Sequence, residues 1–233
     1  DNSTKYLGKR SLKVVSNSAV SNSTVGYKQS VALSAGNYTA SGYIRTSSVS
    51  GTGAGIAVAT SDGTVIARSE CVTGTTDTKV HNGWQRISIS FMATSSANYT
   101  IIFGITNGTG TAFFDCLQLE SGSNCSNVNL LENAGMQTTS DWNYSGSKYN
   151  ATGLIGNGLA ISGNPGEKRY LSQTVALYAA TDDTFVLSGW AKANSVSQRG
   201  NRTFRLRAVV QYGDATTQTV NARFLSRTSE WQY

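Results

Sequence analysis

One stretch of this sequence occurs twice. "ASGYIRTSSVS" at residues 40–50 returns as "LSGWAKANSVS" at 187–197, 147 residues on. The same spacing carries Leu12 to Leu159 and Trp84-Gln85 to Trp231-Gln232. Between these anchors, "YKQSVAL" (27–33) matches "YLSQTVAL" (170–177) at a slightly shorter spacing, as one trimmed and one lengthened loop would give. Ordered anchors over about 75 residues constrain the architecture directly, because a repeated stretch means a repeated supersecondary unit. The copies differ in extent. "NVNLLENAGMQTTSDW" opens the second, with nothing of matching length before Leu12, while the first continues beyond Trp84 through "RISISFMATSSANYTIIFGITNGTGTAFFDCLQLE". The sequence therefore predicts two tandem modules. The first spans 1–124 and lacks its opening strand; the second spans 125–233 and lacks its closing strands. The remainder of a larger or clipped polypeptide is the expected source of the missing strands.

Alternation identifies the elements as strands. Tyr38, Ala40, Gly42 and Ile44 share one face, against Thr39, Ser41, Tyr43 and Arg45. The matching stretch puts Phe185, Leu187, Gly189 and Ala191 against Val186, Ser188, Trp190 and Lys192. "FRLRAVVQY", "RISISF" and "YTIIFGI" alternate in the same way. Period-two segments at regular spacing, with no helical pattern, predict an all-β chain of two antiparallel β-sandwich (jelly-roll) modules. A single Pro and an abundance of Ser, Thr, Gly, Asn and Val suit strands joined by polar turns.

Charge and cysteines narrow the partners. The net charge of +6 is spread evenly, nine Lys/Arg against six Asp/Glu over 1–127 and ten against seven over 128–233. A nucleic-acid binder concentrates such charge in a patch, so none is expected as a partner. Arg199, Arg202, Arg205 and Arg207 form the one cluster, with phosphate-rich polymers as its alternative ligand. No run of about 18 apolar residues suggests a membrane span. Cys71, Cys116 and Cys125 have no CxxC spacing, which predicts free thiols rather than a zinc site.

Catalytic patterns are missing from the sequence. His81 is the only histidine and adjoins a turn-like Asn82-Gly83. "GTGAG" at 51–55 lacks a following helix whose N-terminus would hold phosphate; its glycines fit a strand edge or bulge. Asp115 and Glu120 lie on one strand end rather than across a cleft. On these grounds the expectation is that the chain is not an enzyme.

Further motifs fall in a recognisable order. "GKRSLKVV", "KQSVAL", "SGWAK", "GWQR" and "FFDCLQLE" appear, and Asn129 to Gln137 with Trp142 opens the second module. This resembles the tandem carbohydrate-binding-module-like (family 4/9-type) jelly-roll modules of Gram-positive wall-associated RHS/YD-repeat proteins. The resemblance implies a secreted or cell-wall-associated protein and a polysaccharide or wall glycan as partner. In that family a Phe-Glu pair and a closing-strand Asp hold structural calcium. Asp115 matches the Asp, but Met136-Gln137 stands where Phe-Glu would be, so neither module has the full oxygen set that calcium requires and no cofactor is expected.

The expected ligand site is the face opposite the core. Tyr43 and Trp190 are equivalent by spacing, and an aromatic there can stack on a pyranose ring. Arg45, Lys192, Arg205, Arg207 and Gln211 would supply polar flanks. The alternative is a structural spacer without a sugar ligand, its aromatics covered by loops.

Overall fold

A computed structural model describes the chain except residues 20, 165, 181, 182, 195 and 197–201, and gives the backbone alone at 147–150. Arg199 of the predicted cluster lies outside the described residues. The chain divides into two units. Asp1–Leu130 with Ala176–Ala180 forms the first, and Leu131–Val175 with Thr181–Tyr233 the second. The predicted all-β, antiparallel fold class holds: among the described residues the only helical element is a 3-10 turn at His81–Gly83. Among the described residues no helix is long and apolar enough to cross a membrane.

The first unit is a two-sheet sandwich. Its strands are β1 (Leu12–Ser16), β2 (Thr24–Leu33), β3 (Gly36–Ser47), β4 (Val49–Ala59), β5 (Val65–Arg68), β6 (Val72–Gly74), β7 (Gln85–Ala93), β8 (Ala97–Thr106) and β9 (Gly110–Ser121). One sheet runs β1-β9-β3-β7; the other runs β2-β8-β4-β5, with β6 also paired to β4. The alternation in the sequence decides what lies between them. Ala40, Ile44, Ile87, Phe91, Tyr99, Ile101, Phe103, Ile105 and Phe114 all enter the core, the inward half of each pleat.

Two glycines of "GTGAG" serve close approach. Gly51 has φ +72°, and a Cβ there would lie 2.0 Å from the Asn107 carbonyl oxygen. A Cβ on Gly55 would lie 2.8 Å from Ser69 Oγ, the atom that accepts the Ile56 amide. The glycines sit inside β4, as a strand reading requires.

β9 contains an irregularity that strict alternation does not foresee. Tyr43 pairs with Asp115 and Ser41 with Gln118, so Cys116 and Leu117 together oppose Gly42. Cys116 takes φ +50°. This bulge resets the parity of the strand. Phe114 and Leu119 both reach the core side, and Asp115 is left facing outward beside Tyr43.

Among its described residues the second unit has six strands: β10 (Asn143–Ser145), β11 (Ser147–Thr152), β12 (Asn157–Ser162), β13 (Tyr170–Ser172), β14 (Arg205–Gln211) and β15 (Thr217–Arg223). They form three separate antiparallel pairs, β10-β13, β11-β12 and β14-β15. The predicted alternation of β14 is present, with Phe204, Leu206 and Ala208 half-buried and Arg205, Arg207 and Val209 exposed.

The strand expected over Thr184–Lys192 requires correction. Among the described residues its pairing is confined to a single bridge, Ala191 to Gln232, and Phe185 and Leu187 are 50 % and 41 % exposed rather than in a core. The cause is the lack of neighbours. The matching β3 is an interior strand, paired to β7 on one side and β9 on the other, and alternation alone satisfies no backbone amide.

Candidate functional site

The outward face of β3 is the place to test the predicted ligand surface, and most of it is covered. Thr39 Oγ1 donates to the Gly122 carbonyl, and Ser90 Oγ donates to that of Ser123. Arg86 Nη2 donates to Ser41 Oγ, Gln118 Oε1 and the Ser126 carbonyl. The loop after β9 is thereby fastened over the first half of the face.

Tyr43 is covered by a different segment. Tyr6 stacks on it with ring centroids 3.8 Å apart and planes 13° from parallel, and the Arg86 guanidinium lies 5.2 Å from the Tyr43 centroid. The segment is anchored through Asp115. Its Oδ2 accepts the amides of Tyr6 (2.8 Å) and Leu7 (3.2 Å), and its Oδ1 accepts that of Cys116 (2.7 Å). Among the described residues no group of three His, Cys, Asp or Glu gathers for a metal. The Asp115 carboxylate is an acceptor for backbone amides. Burial first, then contact with the Tyr43 hydroxyl, holds the Tyr6 phenol well above its usual range.

Burial, followed by the Asp115 carboxylate, pushes the Cys116 thiol up to about 12. The thiolate is the reactive form. Alkylation of Cys116 by iodoacetamide at pH 8 is therefore expected to be at least roughly tenfold slower than that of glutathione. Peptide mapping of timed samples measures it; equal rates would refute the buried, carboxylate-facing geometry.

The Arg45 end of the face holds an open cleft. In register across three strands lie Lys13 on β1, Phe113 on β9 and Arg45 on β3, with Thr111 and Ser47 in the next rank. They floor a cleft of about 330 Å³ whose rim includes Thr4, Thr75, Thr76 and Thr78. Lys13 Nζ lies 5.6 Å from the Phe113 centroid and 3.9 Å from Asp1 Oδ2. Thr76 fixes the rim, its amide donating to the Thr46 carbonyl (3.2 Å) and its Oγ1 accepting the Thr46 amide (3.1 Å). Thr46, a lining residue of the cleft, has its Oγ1 buried without a hydrogen-bond partner among the described residues. The cleft combines an aromatic surface, two cations and a ring of hydroxyls. Such a set accepts a hydroxyl-bearing ligand with negative charge.

The other predicted residues fall into smaller groupings. Trp190 is half-exposed with its ring 5.2 Å from that of Tyr233, and Lys192 Nζ lies 5.1 Å from the Trp231 centroid. Arg205, Arg207 and Gln211 share one face of the β14-β15 pair, opposite Arg223, Asn221 and Thr217 respectively. His81 lies on the 3-10 turn, its Nδ1 2.7 Å from the Tyr178 carbonyl oxygen. Trp84 is buried in the first unit. Lys13 and Phe113 were missed. Both sit at outward positions of recognisable strands, but only the register shows that they flank Arg45.

No protein-family model matches the chain. Three Bacillus proteins are similar to it. The tRNA(Glu)-specific nuclease WapA of Bacillus subtilis subsp. natto and the tRNA nuclease WapA of Bacillus subtilis strain 168 are each 29% identical over 163 residues. The tRNA3(Ser)-specific nuclease WapA of Bacillus spizizenii is 28% identical over the same length. Each match covers 64% of this chain and 7% of the relative, so the chain spans a small part of the length of the proteins it matches. These names overturn the expectation that the chain is not an enzyme: all three relatives are named tRNA nucleases. Among solved structures, the tripod from the baseplate of bacteriophage Tuc2009 aligns over 95% of this chain and 78% of that one, at 14% identity and a TM-score of 0.31. A likeness at that level carries no argument about function.

Proposed function

We propose that the chain is a polymer-contacting β-sandwich segment of a wall-associated protein of the WapA kind, and that its first unit binds an anionic, hydroxyl-rich wall glycan in the Lys13–Phe113–Arg45 cleft. One observation carries the reading: beside the part of the outer sheet face roofed by Tyr6 and the 122–126 loop, this rank floors an open cleft that gathers an aromatic ring, two cations and hydroxyls. Phe113 offers a π-surface to sugar or polyol C–H groups. Arg45, with no hydrogen-bond or ion-pair partner among the described residues, offers a planar fork to phosphate or carboxylate. The longer protein is proposed to act on tRNA, as its relatives' names state for them, and this segment to meet the envelope around it.

The test is sedimentation of the full chain with Gram-positive walls, before and after removal of their anionic polymers. Losing one charge-assisted contact costs about 1.5–3 kcal/mol. Arg45→Ala is therefore expected to weaken binding roughly tenfold to a hundredfold, with the remaining affinity falling as salt rises. If the unaltered chain binds neither wall preparation, the spacer reading replaces this one.

A further inference from the structure

The β14–β15 ribbon carries its charge on one side. Arg205 lies directly opposite Arg223, and Arg207 opposite Asn221, with Val209 and Thr219 next along the same face. All three arginines are exposed. None of them has a hydrogen-bond or ion-pair partner among the described residues. Neither strand contains Asp, Glu or an aromatic residue. The carboxylate of the connecting turn, Asp214, stands at the far end of the ribbon and accepts the Thr216 amide at 2.9 Å and the Thr216 hydroxyl at 2.6 Å.

Such an arrangement costs stability. Like charges directly opposite across two strands repel, and a guanidinium stays charged at any ordinary pH. The repeated unit does not demand it. The first unit has a corresponding turn, in which Asp62 Oδ1 accepts the Thr64 amide at 3.0 Å, 152 residues before Asp214 and Thr216. By that spacing Arg205 and Arg207 correspond to Gly53 and Gly55 of β4. A Cβ at Gly53 would lie 3.0 Å from that of Cys71, and one at Gly55 2.8 Å from Ser69 Oγ, so the chain after β5 covers this strand face in the first unit. In the second unit the same strand positions hold two exposed cations.

We propose that the Arg205–Arg207–Arg223 face binds a polyol-phosphate chain, independently of the glycan reading of the first unit. Charge complementarity selects the occupant. A guanidinium fork takes a phosphate through two parallel hydrogen bonds. Arg205 and Arg207 are two residues apart, about 6.7 Å along the strand. A chain with a phosphate on every repeat can meet both, and Arg223 adds a third fork across the ribbon. Asn221 and Thr219 offer an amide and a hydroxyl to the polyol hydroxyls. Single-stranded nucleic acid stacks its bases on aromatic side chains. Neither strand supplies one, so the ribbon favours a phosphodiester chain without bases.

The experiment follows the fluorescence anisotropy of a labelled glycerol-phosphate oligomer titrated with the full chain. All variants carry Arg45→Ala, so that the first-unit cleft does not supply the signal. One adds Arg205→Gln, Arg207→Gln and Arg223→Gln; another loses the same charge elsewhere, through Arg10→Gln, Lys28→Gln and Lys79→Gln. The ribbon variant is expected to bind at least roughly tenfold more weakly. Its log K should also fall less steeply with log salt, by about two units of slope for three phosphates. The second variant is expected to bind as the Arg45→Ala protein does. Lysine at the three ribbon positions keeps the charge and is expected to keep the slope. Equal weakening in the two glutamine variants, an unchanged slope in the ribbon variant or a lost slope with lysine would each overturn the proposal. So would absence of binding by the Arg45→Ala protein, or tighter binding of an oligouridylate with the same number of phosphates.

Discussion

Replacing Phe114 by alanine is expected to cost the first unit roughly 3–5 kcal/mol; replacing its neighbour Phe113 is expected to cost about 1 kcal/mol. The contrast follows from the pleat. Phe114 is 1 % exposed, pairs across the sheet with Leu12 and Ile44, and meets the Phe103 ring of the opposite sheet edge-on at 5.7 Å. A cavity there cannot refill, because both flanking strands are fixed by their ladders. Domains are stable by about 5–15 kcal/mol in total, so Phe114→Ala leaves little margin. Phe113 faces the cleft, and its loss removes the aromatic floor while the fold stays. Denaturant midpoints and wall binding, measured on both variants, separate the roles. Equal destabilisation by the two substitutions would mean that the register around β9 is wrong.

Strands β7 and β8 of the first unit were legible because one face of each is more buried than the other. Tyr99, Ile101, Phe103 and Ile105 of β8 alternate, and all four are in the core. The same signal misled at Phe185 to Ala191, where it reported the capacity to pair and could not report the neighbour that pairing requires. Between these cases stands β9. Its bulge at Cys116 violates alternation, so the sequence placed Asp115 on a strand end without showing that it turns toward Tyr43.

The candidate site was legible only in part, for a related reason. Strand parity correctly put Tyr43 and Arg45 on the outer face, but parity is blind to what lies over that face. Tyr6 comes from an irregular segment whose position depends on three amides finding one carboxylate. The cleft depends on register between β1, β9 and β3, strands distant in sequence. Local pattern carries neither kind of information, since both arise from long-range closure.

Asp115→Ala is expected to release the N-terminal segment and destabilise the first unit by roughly 2–3 kcal/mol, less than the sum of its bonds to a charged acceptor, because the freed Tyr6 and Leu7 amides regain water. Without its anchor, Tyr6 keeps its stack on Tyr43, worth about 0.5–1.5 kcal/mol beyond area, and its edge contact with Trp84. Trypsin should then cut after Lys5, Lys9 and Arg10 much faster than in the unaltered chain, and the Tyr6 and Leu7 amides should lose their protection. Asp115→Asn keeps one acceptor oxygen and should fall between the two. The released face would present Tyr43 to solvent beside Arg45, so a gain in glycan affinity by Asp115→Ala would show that the larger aromatic surface exists but is closed by this latch. A calcium role predicts something different: treating the unaltered chain with EDTA should reproduce the substitution. If it does, Asp115 acts through a cation and the amide latch is refuted; if cleavage in EDTA stays slow, the carboxylate holds the segment by hydrogen bonds alone.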